Sequence, residues 1–360
     1  MNPAFFHESP AWPHWRWSAD ALTPRLQALH AAYFDLLAAQ RESSPEAGYG
    51  LRVIVDEAHR TSLIEGERLD REEIRASLVR RQSLLPPLPR QDARIAGLLE
   101  MTLDARKSGP ITHARLKQWH TWLFSGLAPD SFQIGAYRTD HSGPMQIISH
   151  RLSEPRVVYE APAAHRLEHD MDRLLDWLTR ETEPDLFLRA GVAHLWFEAI
   201  HPFEDGNGRI GRSLVDWILS QHPAGGAVPL SLSFTLHAHQ SAYYAALDQA
   251  VRGDGEISFW LDWFLSQIHE EVGRSRTELE RRIRWQRTRL QLHEQGANER
   301  QINGLERMHL DWVGHMTTQK WGTINRCSAA TAQRDLSELV NGGFLTPVGK
   351  GRSAGYVLSN

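Results

Sequence analysis

The sequence lacks several features that would narrow its class at once. Its 360 residues contain one cysteine, Cys327, so a framework of internal disulfide bonds is excluded. No run of about 18 consecutive apolar residues occurs, so no membrane-spanning helix is predicted. The formal net charge of -4 gives the chain no general attraction to nucleic acid or to an acidic membrane. We therefore expect a cytoplasmic protein without membrane contact, in which Cys327 packs as a small apolar helix residue.

Most of the chain has the periodicity of α-helices. Apolar residues recur at helical spacing from Leu186 to Ile200 and again from Ile210 to Ile218. β-branched residues on both sides of Ser153–Pro155 predict a short hairpin between residues 145 and 159. The sequence thus predicts a mainly α-helical protein. Its predicted segments are an N-terminal helical domain (1–104), a central core (105–268), a charged connecting helix (269–300) and a small C-terminal domain (301–360).

The densest group of chemically useful side chains lies in the central segment, His201–Arg212, between two apolar helices. Gly206 and Gly208 permit close backbone approach where a helix begins, so free N–H groups can converge on an anion. Arg209 and Arg212 are three residues apart, so both guanidinium groups can grip a polyphosphate from one side of that helix. The central segment therefore predicts a phosphate-binding site.

Three further residues of the central segment are assigned roles from their chemistry. Asp205 is a single carboxylate beside the phosphate site, which suits Mg²⁺ because that ion takes one or two carboxylates plus substrate phosphates. His201 ends the preceding helix, and a neutral imidazole is the usual group that takes a proton from a hydroxyl. We interpret it as a general base. Phe203 is predicted to anchor the segment on the helical core.

The central segment, His201-Pro-Phe-Glu-Asp-Gly-Asn-Gly-Arg-Ile-Gly-Arg212, resembles the signature of the Fic family at every fixed position. That signature is His-x-Phe-x-(Asp/Glu)-Gly-Asn-Gly-Arg-x-x-Arg, and the resemblance extends over about residues 105–265, including Gly135-Ala-Tyr-Arg138. It implies a helical Fic core that transfers AMP from ATP, with Mg²⁺, to a Ser, Thr or Tyr hydroxyl of a protein. In that family Asn207, Gly208, Arg209 and Arg212 would hold the phosphates.

The resemblance also implies two subsites outside the central segment. The hairpin is similar to the family's flap, which docks the target protein, and would use Gln146, Ile147 and Ile148. Tyr243 and Tyr244 resemble the family's helix near the adenine. Val251 departs from the Asn that some members carry at that position.

An acid upstream of the core resembles a known inhibitory element of the family. Thr61 and Glu65 lie one helical turn apart on a predicted helix near residues 51–66, and Gly66 follows. This stretch is similar to the motif (Ser/Thr)-x-x-x-Glu-(Gly/Asn). The resemblance implies that Glu65 pairs with Arg212 and represses the resting enzyme by occupying the γ-phosphate site. Relatives of this arrangement can also remove AMP by using the same glutamate to orient a water molecule, so both AMP transfer and AMP removal stay open.

The C-terminal domain resembles a winged helix-turn-helix, with a recognition-type helix at Ser328–Val340. Arg334, Lys350 and Arg352 are the cations that would touch DNA phosphates, and three such contacts give only modest binding. DNA binding through 301–360 is left open, as is a homo-oligomer. A protein substrate, which could be a second copy of the chain, remains the main expected partner.

Two other functions compete with the transferase. One is a transcription regulator in which the core senses ATP and the C-terminal domain binds DNA. The other is a zinc peptidase, because His165, Glu168 and His169 fit a short His-x-x-Glu-His pattern, although no third ligand is identifiable in the sequence.

Overall fold

The computed structural model describes residues 4–42, 48–83, 92–126, 132–141, 143–149, 156–180, 185–221, 230–310, 312, 314–349 and 354–359. Within them the chain forms fourteen α-helices and two antiparallel hairpins. The helices are α1 (Ala19–Glu42), α2 (Tyr49–Ile64), α3 (Arg71–Gln82), α4 (Ala93–Asp104), α5 (His113–Leu123), α6 (Leu167–Thr179), α7 (Leu186–Ile200), α8 (Asn207–Ser220), α9 (Leu232–Ala238), α10 (Gln240–Arg252), α11 (Ser258–Glu294), α12 (Glu299–Leu310), α13 (Thr318–Asn325) and α14 (Ala329–Asn341). The strands are β1 (Gln146–Ser149), β2 (Arg156–Glu160), β3 (Leu345–Val348) and β4 (Gly355–Leu358).

The predicted mainly α-helical fold with one hairpin in its core is confirmed. The two apolar runs form α7 and α8, and the predicted hairpin forms β1 and β2. The turn expected at Ser153–Pro155 lies outside the described residues. None of the described helices is both long and apolar enough to cross a bilayer.

The chain folds into two compact units. The first comprises Met1–Leu37 and Gly50–Gly273, and the second comprises Ala38–Tyr49 and Arg274–Asn360. The predicted N-terminal domain, apart from Ala38–Tyr49, thus shares the first unit with the predicted central core. Their contacts include a hydrogen bond of 3.0 Å from Trp12 Nε1 to Asp170 and an ion pair of 2.6 Å between Arg25 and Asp262. A division at residue 104 therefore stays a prediction from sequence, since no break between compact units falls there.

Helix α7 is the centre of the first unit. Every residue of α7 except Arg189 and Glu198 is buried, as expected for a helix that is apolar on all sides. Asp185 begins it by accepting hydrogen bonds from two backbone N–H groups of the first turn. Gly191 lets α11 approach closely, because a Cβ atom there would lie 2.8 Å from Leu261. This buried helix provides a rigid support for the residue that follows it, His201.

The second unit contains α12, α13 and α14 followed by the hairpin β3–β4, and Met316 adds a bridge to Tyr356. Its core includes Trp321. Buried Asp335 stabilises this core by pairing with Arg300. This order of elements is the one predicted for 301–360, and its interpretation as a winged helix stays a prediction.

Of the residues predicted to matter in the C-terminal domain, the structure describes Cys327 and Arg334. Cys327 is half-buried beside the core of this unit. Arg334 is exposed on α14. Lys350 and Arg352 lie outside the described residues.

Candidate active site

The catalytic candidate His201 is held by its backbone. It ends α7 in the left-handed conformation, with φ 51° and ψ 60°, which costs a non-glycine residue about 1 kcal/mol or more. Buried Arg138 offsets this cost by donating from Nε to the His201 carbonyl oxygen at 2.7 Å. Its Nη2 atom donates to Pro162 O at 2.6 Å and to Ile200 O at 3.4 Å. Arg138 therefore satisfies the free carbonyls at the end of α7 and fixes the position of His201.

The central segment is closed by its own side chains. Asn207 Oδ1 accepts from Phe203 N at 2.9 Å, and Asn207 Nδ2 donates to Phe203 O at 2.8 Å. Phe203 is fully buried and stacks on His120 with ring centroids 4.4 Å apart. Gly206 has φ 78°, and a Cβ atom there would lie 2.8 Å from Phe124. Asn207 thus shapes the loop, and its predicted contact with a nucleotide stays a prediction.

The structure brings Arg212 together with the predicted inhibitory residues Thr61, on α2, and Glu65, which directly follows α2. Arg212 Nη2 donates to Glu65 Oε1 at 2.7 Å, and Arg212 Nε donates to Thr61 Oγ1 at 2.8 Å. The side chain of Arg212 is 2% exposed and that of Glu65 is 26% exposed. A Cβ atom at Gly208 would collide with Glu65 Oε1. Glycine at position 208 therefore leaves room for the Glu65 carboxylate, and its contact with a phosphate stays a prediction.

The other arginine of the central segment is also paired. Arg209 Nη1 lies 3.0 Å from Glu67 Oε2, and its Nη2 atom lies 3.7 Å from Asp205 Oδ1. The guanidinium group covers the ring of Phe124, 5.1 Å from the centroid. Glu67 was not predicted from the sequence. The one available signal was a second acid two residues after Glu65.

A cavity of about 630 Å³ connects these residues with α10 and the hairpin. Its lining includes Gly208, the cationic Arg212 and His201. Apolar side chains, including Ile147 and Leu247, also line it. A cavity of this size, with both cationic and apolar lining residues, suits a small ligand that has an anionic group and a less polar part.

The two predicted adenine-site tyrosines have different surroundings. Tyr243 is buried, and its hydroxyl lies 2.6 Å from His194 Nε2. Tyr244 is 39% exposed, and its hydroxyl donates to the backbone oxygen of Ile64 at 3.2 Å. Gln240 Nε2 donates to the same oxygen at 2.7 Å. Because Ile64 is the last residue of α2, these two contacts from α10 hold the helix end that Glu65 directly follows. Gln240 was missed because no local sequence pattern indicates this contact.

The predicted flap borders the same cavity. Gln146 pairs with Glu160 across the hairpin, and its Nε2 atom donates to the Glu160 carboxylate at 2.8 Å. Ile147 is exposed and lines the cavity, and Ile148 follows it in β1. Arg252 of α10 donates to the Val158 oxygen of β2. The role of Gln146, Ile147 and Ile148 in docking a target stays a prediction.

Burial sets the protonation of two groups at the cavity. Burial of the imidazole, with the nearby positive charge of Arg138, lowers the pKa of His201 to about 4. One turn earlier on α7, burial raises the pKa of Glu198 to about 8. At neutral pH the site therefore contains a neutral imidazole and a protonated carboxyl group. Glu198, which also lines the cavity, was missed because it interrupts an otherwise apolar helix whose pattern indicates packing.

The lowered pKa of His201 predicts an unusual pH profile for any reaction that uses it as a base. The transfer rate of a Glu65→Gly variant should stay level from about pH 8 to about pH 6 and decline only as the pH approaches 4. The sign follows because a lowered pKa keeps the imidazole neutral further into acid. The pH profile is measured as initial rates of transfer across this range, with circular dichroism as a check that the protein stays folded. A midpoint near 6.5, the ordinary histidine value, would contradict the expectation.

The residues present fit a magnesium ion only with help from a substrate. Asp205 is 59% exposed and so accessible to a hydrated cation, and its Oδ1 atom accepts from Gly206 N. Within the described part of the chain, no three His, Cys, Asp or Glu side chains are grouped so that they could hold a metal ion. One carboxylate plus phosphate oxygens is nevertheless a usual environment for Mg²⁺.

The three residues of the rival zinc-peptidase pattern, His165, Glu168 and His169, are exposed around the start of α6.

Comparison with known families agrees with this geometry. Residues 110–219 match the Fic/DOC family, and residues 5–84 match a domain of unknown function, DUF4172. The Fic/DOC match contains the whole central segment and the hairpin. The chain therefore carries a Fic/DOC domain.

Three curated proteins illustrate the similarity. The chain is 30% identical over 95 residues to a probable protein adenylyltransferase of Aquifex aeolicus (strain VF5), covering 26% of this chain and 27% of that protein. It is 32% identical over 129 residues to the protein adenylyltransferase Fic of Nematostella vectensis, covering 35% and 29%. It is 28% identical over 144 residues to a uridine 5′-monophosphate transferase of Xanthomonas campestris pv. campestris (strain 8004), covering 36% and 26%. The match thus spans less than a third of each relative.

Two solved structures share the fold. A Fic family protein from Desulfovibrio desulfuricans G20 superposes with a TM-score of 0.56 at 18% identity, covering 94% of this chain and 96% of the other. A Fic domain containing signaling protein from Bacteroides thetaiotaomicron VPI-5482 has a TM-score of 0.53 at 18% identity, covering 72% and 98%. At this identity the likeness shows the fold alone.

Proposed function

We propose that this protein is a protein adenylyltransferase that is repressed at rest by Glu65. The observation that carries the proposal is the contact of Glu65 and Thr61 with buried Arg212 in the cavity that His201 also lines. In the proposal, Arg212 binds a phosphate of ATP during the reaction, and at rest its guanidinium group is paired with the Glu65 carboxylate of the same chain. The names of the curated relatives in Aquifex aeolicus and Nematostella vectensis support nucleotidyl transfer as the reaction.

In the proposed reaction, neutral His201 accepts the proton of a target hydroxyl. The hydroxyl oxygen forms a bond to the α-phosphorus of ATP, the bond to the bridging oxygen breaks, and pyrophosphate leaves. Arg209, Arg212 and the backbone near Gly208 hold the phosphates, so positioning and charge stabilisation supply most of the catalysis. Mg²⁺, held by Asp205 and phosphate oxygens, would neutralise negative charge on the leaving group. The product is an AMP ester of the protein.

The same site supports removal of AMP by hydrolysis. Glu65 lies in the cavity with His201, so its carboxylate can orient a water molecule towards the phosphorus of an AMP ester. The water oxygen bonds to phosphorus, the bond to the target oxygen breaks, and AMP leaves as the target hydroxyl regains a proton. We include removal of AMP in the proposal as a second activity of Glu65.

Transfer of radiolabel tests the proposal directly. The Glu65→Gly variant is incubated with a cell lysate and with α-labelled ATP, γ-labelled ATP or α-labelled UTP, and labelled proteins are analysed by mass spectrometry. We expect label from α-labelled ATP and a mass increase equal to AMP. Label from the γ-phosphate would indicate a kinase instead. Label from UTP alone would assign the uridylyl transfer named for the Xanthomonas campestris relative, and no label from any donor would refute the proposal.

The second unit supports a smaller proposal. Helix α14 exposes Arg334, and the hairpin β3–β4 follows it, so we propose that residues 301–360 form a winged helix that contacts DNA phosphates. The pure regulator that senses ATP is not favoured, because His201 lines the same cavity as Arg212 and curated relatives are named as transferases. Use of ATP and the single cysteine fit the proposed cytoplasmic location.

A further inference from the structure

The chain beyond α2 turns back towards the central segment. Gly66 has φ 79°, and Gly66 N donates to Leu63 O at 3.0 Å. Glu67 N donates to Ser62 O at 2.9 Å. These two hydrogen bonds close the end of the helix in the manner of a glycine-dependent cap. The turn places two acids, Glu65 and Glu67, against α8.

Each of the two acids forms an ion pair with one of the two arginines, and the pair of Glu65 with Arg212 is also a hydrogen bond. Glu65 meets Arg212 at 2.7 Å, and Glu67 meets Arg209 at 3.0 Å. Both arginine side chains are nearly buried, 2% exposed for Arg212 and 4% for Arg209. Both carboxylates are about one-quarter to one-third exposed, 26% and 31%. Ion pairs with one buried partner resist dissociation more than surface pairs, because breaking them leaves a buried charge uncompensated.

We propose that Glu67 is a second inhibitory carboxylate, which occupies Arg209 as Glu65 occupies Arg212. The inference rests on the proposed function, since it concerns the same phosphate site. A polyphosphate that uses both guanidinium groups must displace both acids. Because Glu65 and Glu67 belong to one turn, movement of the end of α2 frees Arg209 and Arg212 together. Repression then depends on two contacts, and removal of Glu65 alone relieves only part of it.

An alternative role for Glu67 makes a different prediction. If Glu67 only orients Arg209 for phosphate, its loss should weaken ATP binding. If it serves only the fold, its loss should lower the melting temperature and leave ATP affinity unchanged. An inhibitory Glu67 predicts tighter ATP binding at nearly constant stability. Nucleotide affinity in the absence of transfer therefore separates these roles.

The experiment measures ATP affinity by calorimetry, with magnesium, for the full-length chain. The variants are Glu65→Gln, Glu67→Gln, Glu67→Ser and the double change Glu65→Gln with Glu67→Gln. The matched control is Glu72→Gln, because Glu72 is an exposed acid near Arg71 and Arg75 on α3. We expect Glu67→Gln and Glu67→Ser to tighten ATP binding roughly fivefold. The double variant should bind ATP more tightly than either single variant, and the control should match the wild type.

Several outcomes would overturn the inference. ATP affinity of both Glu67 variants equal to that of Glu72→Gln, or weaker, refutes it, whatever their melting temperatures. If Glu65→Gln tightens ATP binding and the Glu67 variants do not, the proposed function survives and the second inhibitory contact does not. If no variant binds ATP, the proposed function and this inference fail together.

Discussion

Glycine in place of Glu65 should raise the rate of AMP transfer by on the order of 100-fold. The carboxylate holds Arg212 through a 2.7 Å contact, and the guanidinium group is almost completely buried. ATP that binds beside this pair cannot place its γ-phosphate on Arg212, so most bound ATP is in an unproductive pose. Glycine removes the carboxylate but keeps the two hydrogen bonds from Arg212 to Thr61. Arg212 should then stay in place and become available to the γ-phosphate of ATP.

The measurement is the initial rate of label transfer from α-labelled ATP to a fixed lysate, at equal protein concentration. The control is Glu72→Gly, which removes an exposed acid from the first turn of α3. Equal rates for wild type and the Glu65→Gly variant would show that Glu65 does not limit the enzyme. A further rise on changing Glu67 in the Glu65→Gly background is the result that two inhibitory contacts predict.

Loss of the imidazole should have the opposite and comparably large effect. Changing His201 to Ala in the Glu65→Gly background should lower the transfer rate by about 100- to 10,000-fold, the usual contribution of a general base. ATP affinity should change little, because Arg209, Arg212 and the glycines hold the phosphates. Rate and affinity are both measured, so that a binding defect is not mistaken for a defect in proton transfer.

Exposed His169 on α6 provides the control for His201. His169→Ala in the same background should transfer label at the rate of its parent. A His201→Ala variant that retained most of its activity, with an unchanged melting temperature, would contradict the assignment of the base. Arg138 should remain bound to the helix end in that variant, because it contacts backbone oxygens and not the imidazole.

The sequence predicts the site best where the site residues are close together in the chain. Within the dozen residues from His201 to Arg212, residue types and spacing already define a loop, a helix start and two cations on one side. Apolar periodicity likewise predicted the helices on both sides. The pairing of Glu65 with Arg212 spans 147 positions, and only resemblance to a family predicted it.

Contacts that depend on distant packing could not be predicted. Arg138 reaches the end of α7 across more than 60 positions, and its own neighbours in sequence do not indicate that target. Tyr243 lines the cavity, and its hydroxyl also lies 2.6 Å from His194 Nε2, a contact that no local sequence pattern indicates. The predicted boundary at residue 268 lies close to Gly273, where the first unit ends, but no change of composition indicates that Ala38–Tyr49 belong to the second unit.

Helix α10 has two structural roles in the first unit. Gln240 and Tyr244 support the last carbonyl of α2, while other side chains of α10 line the cavity where the base of a nucleotide is proposed to bind. A substitution that adapts this wall to a different base would also disturb the support of the repressing helix. Under the proposed function, the choice of nucleotide and the strength of repression would therefore depend on the same helix.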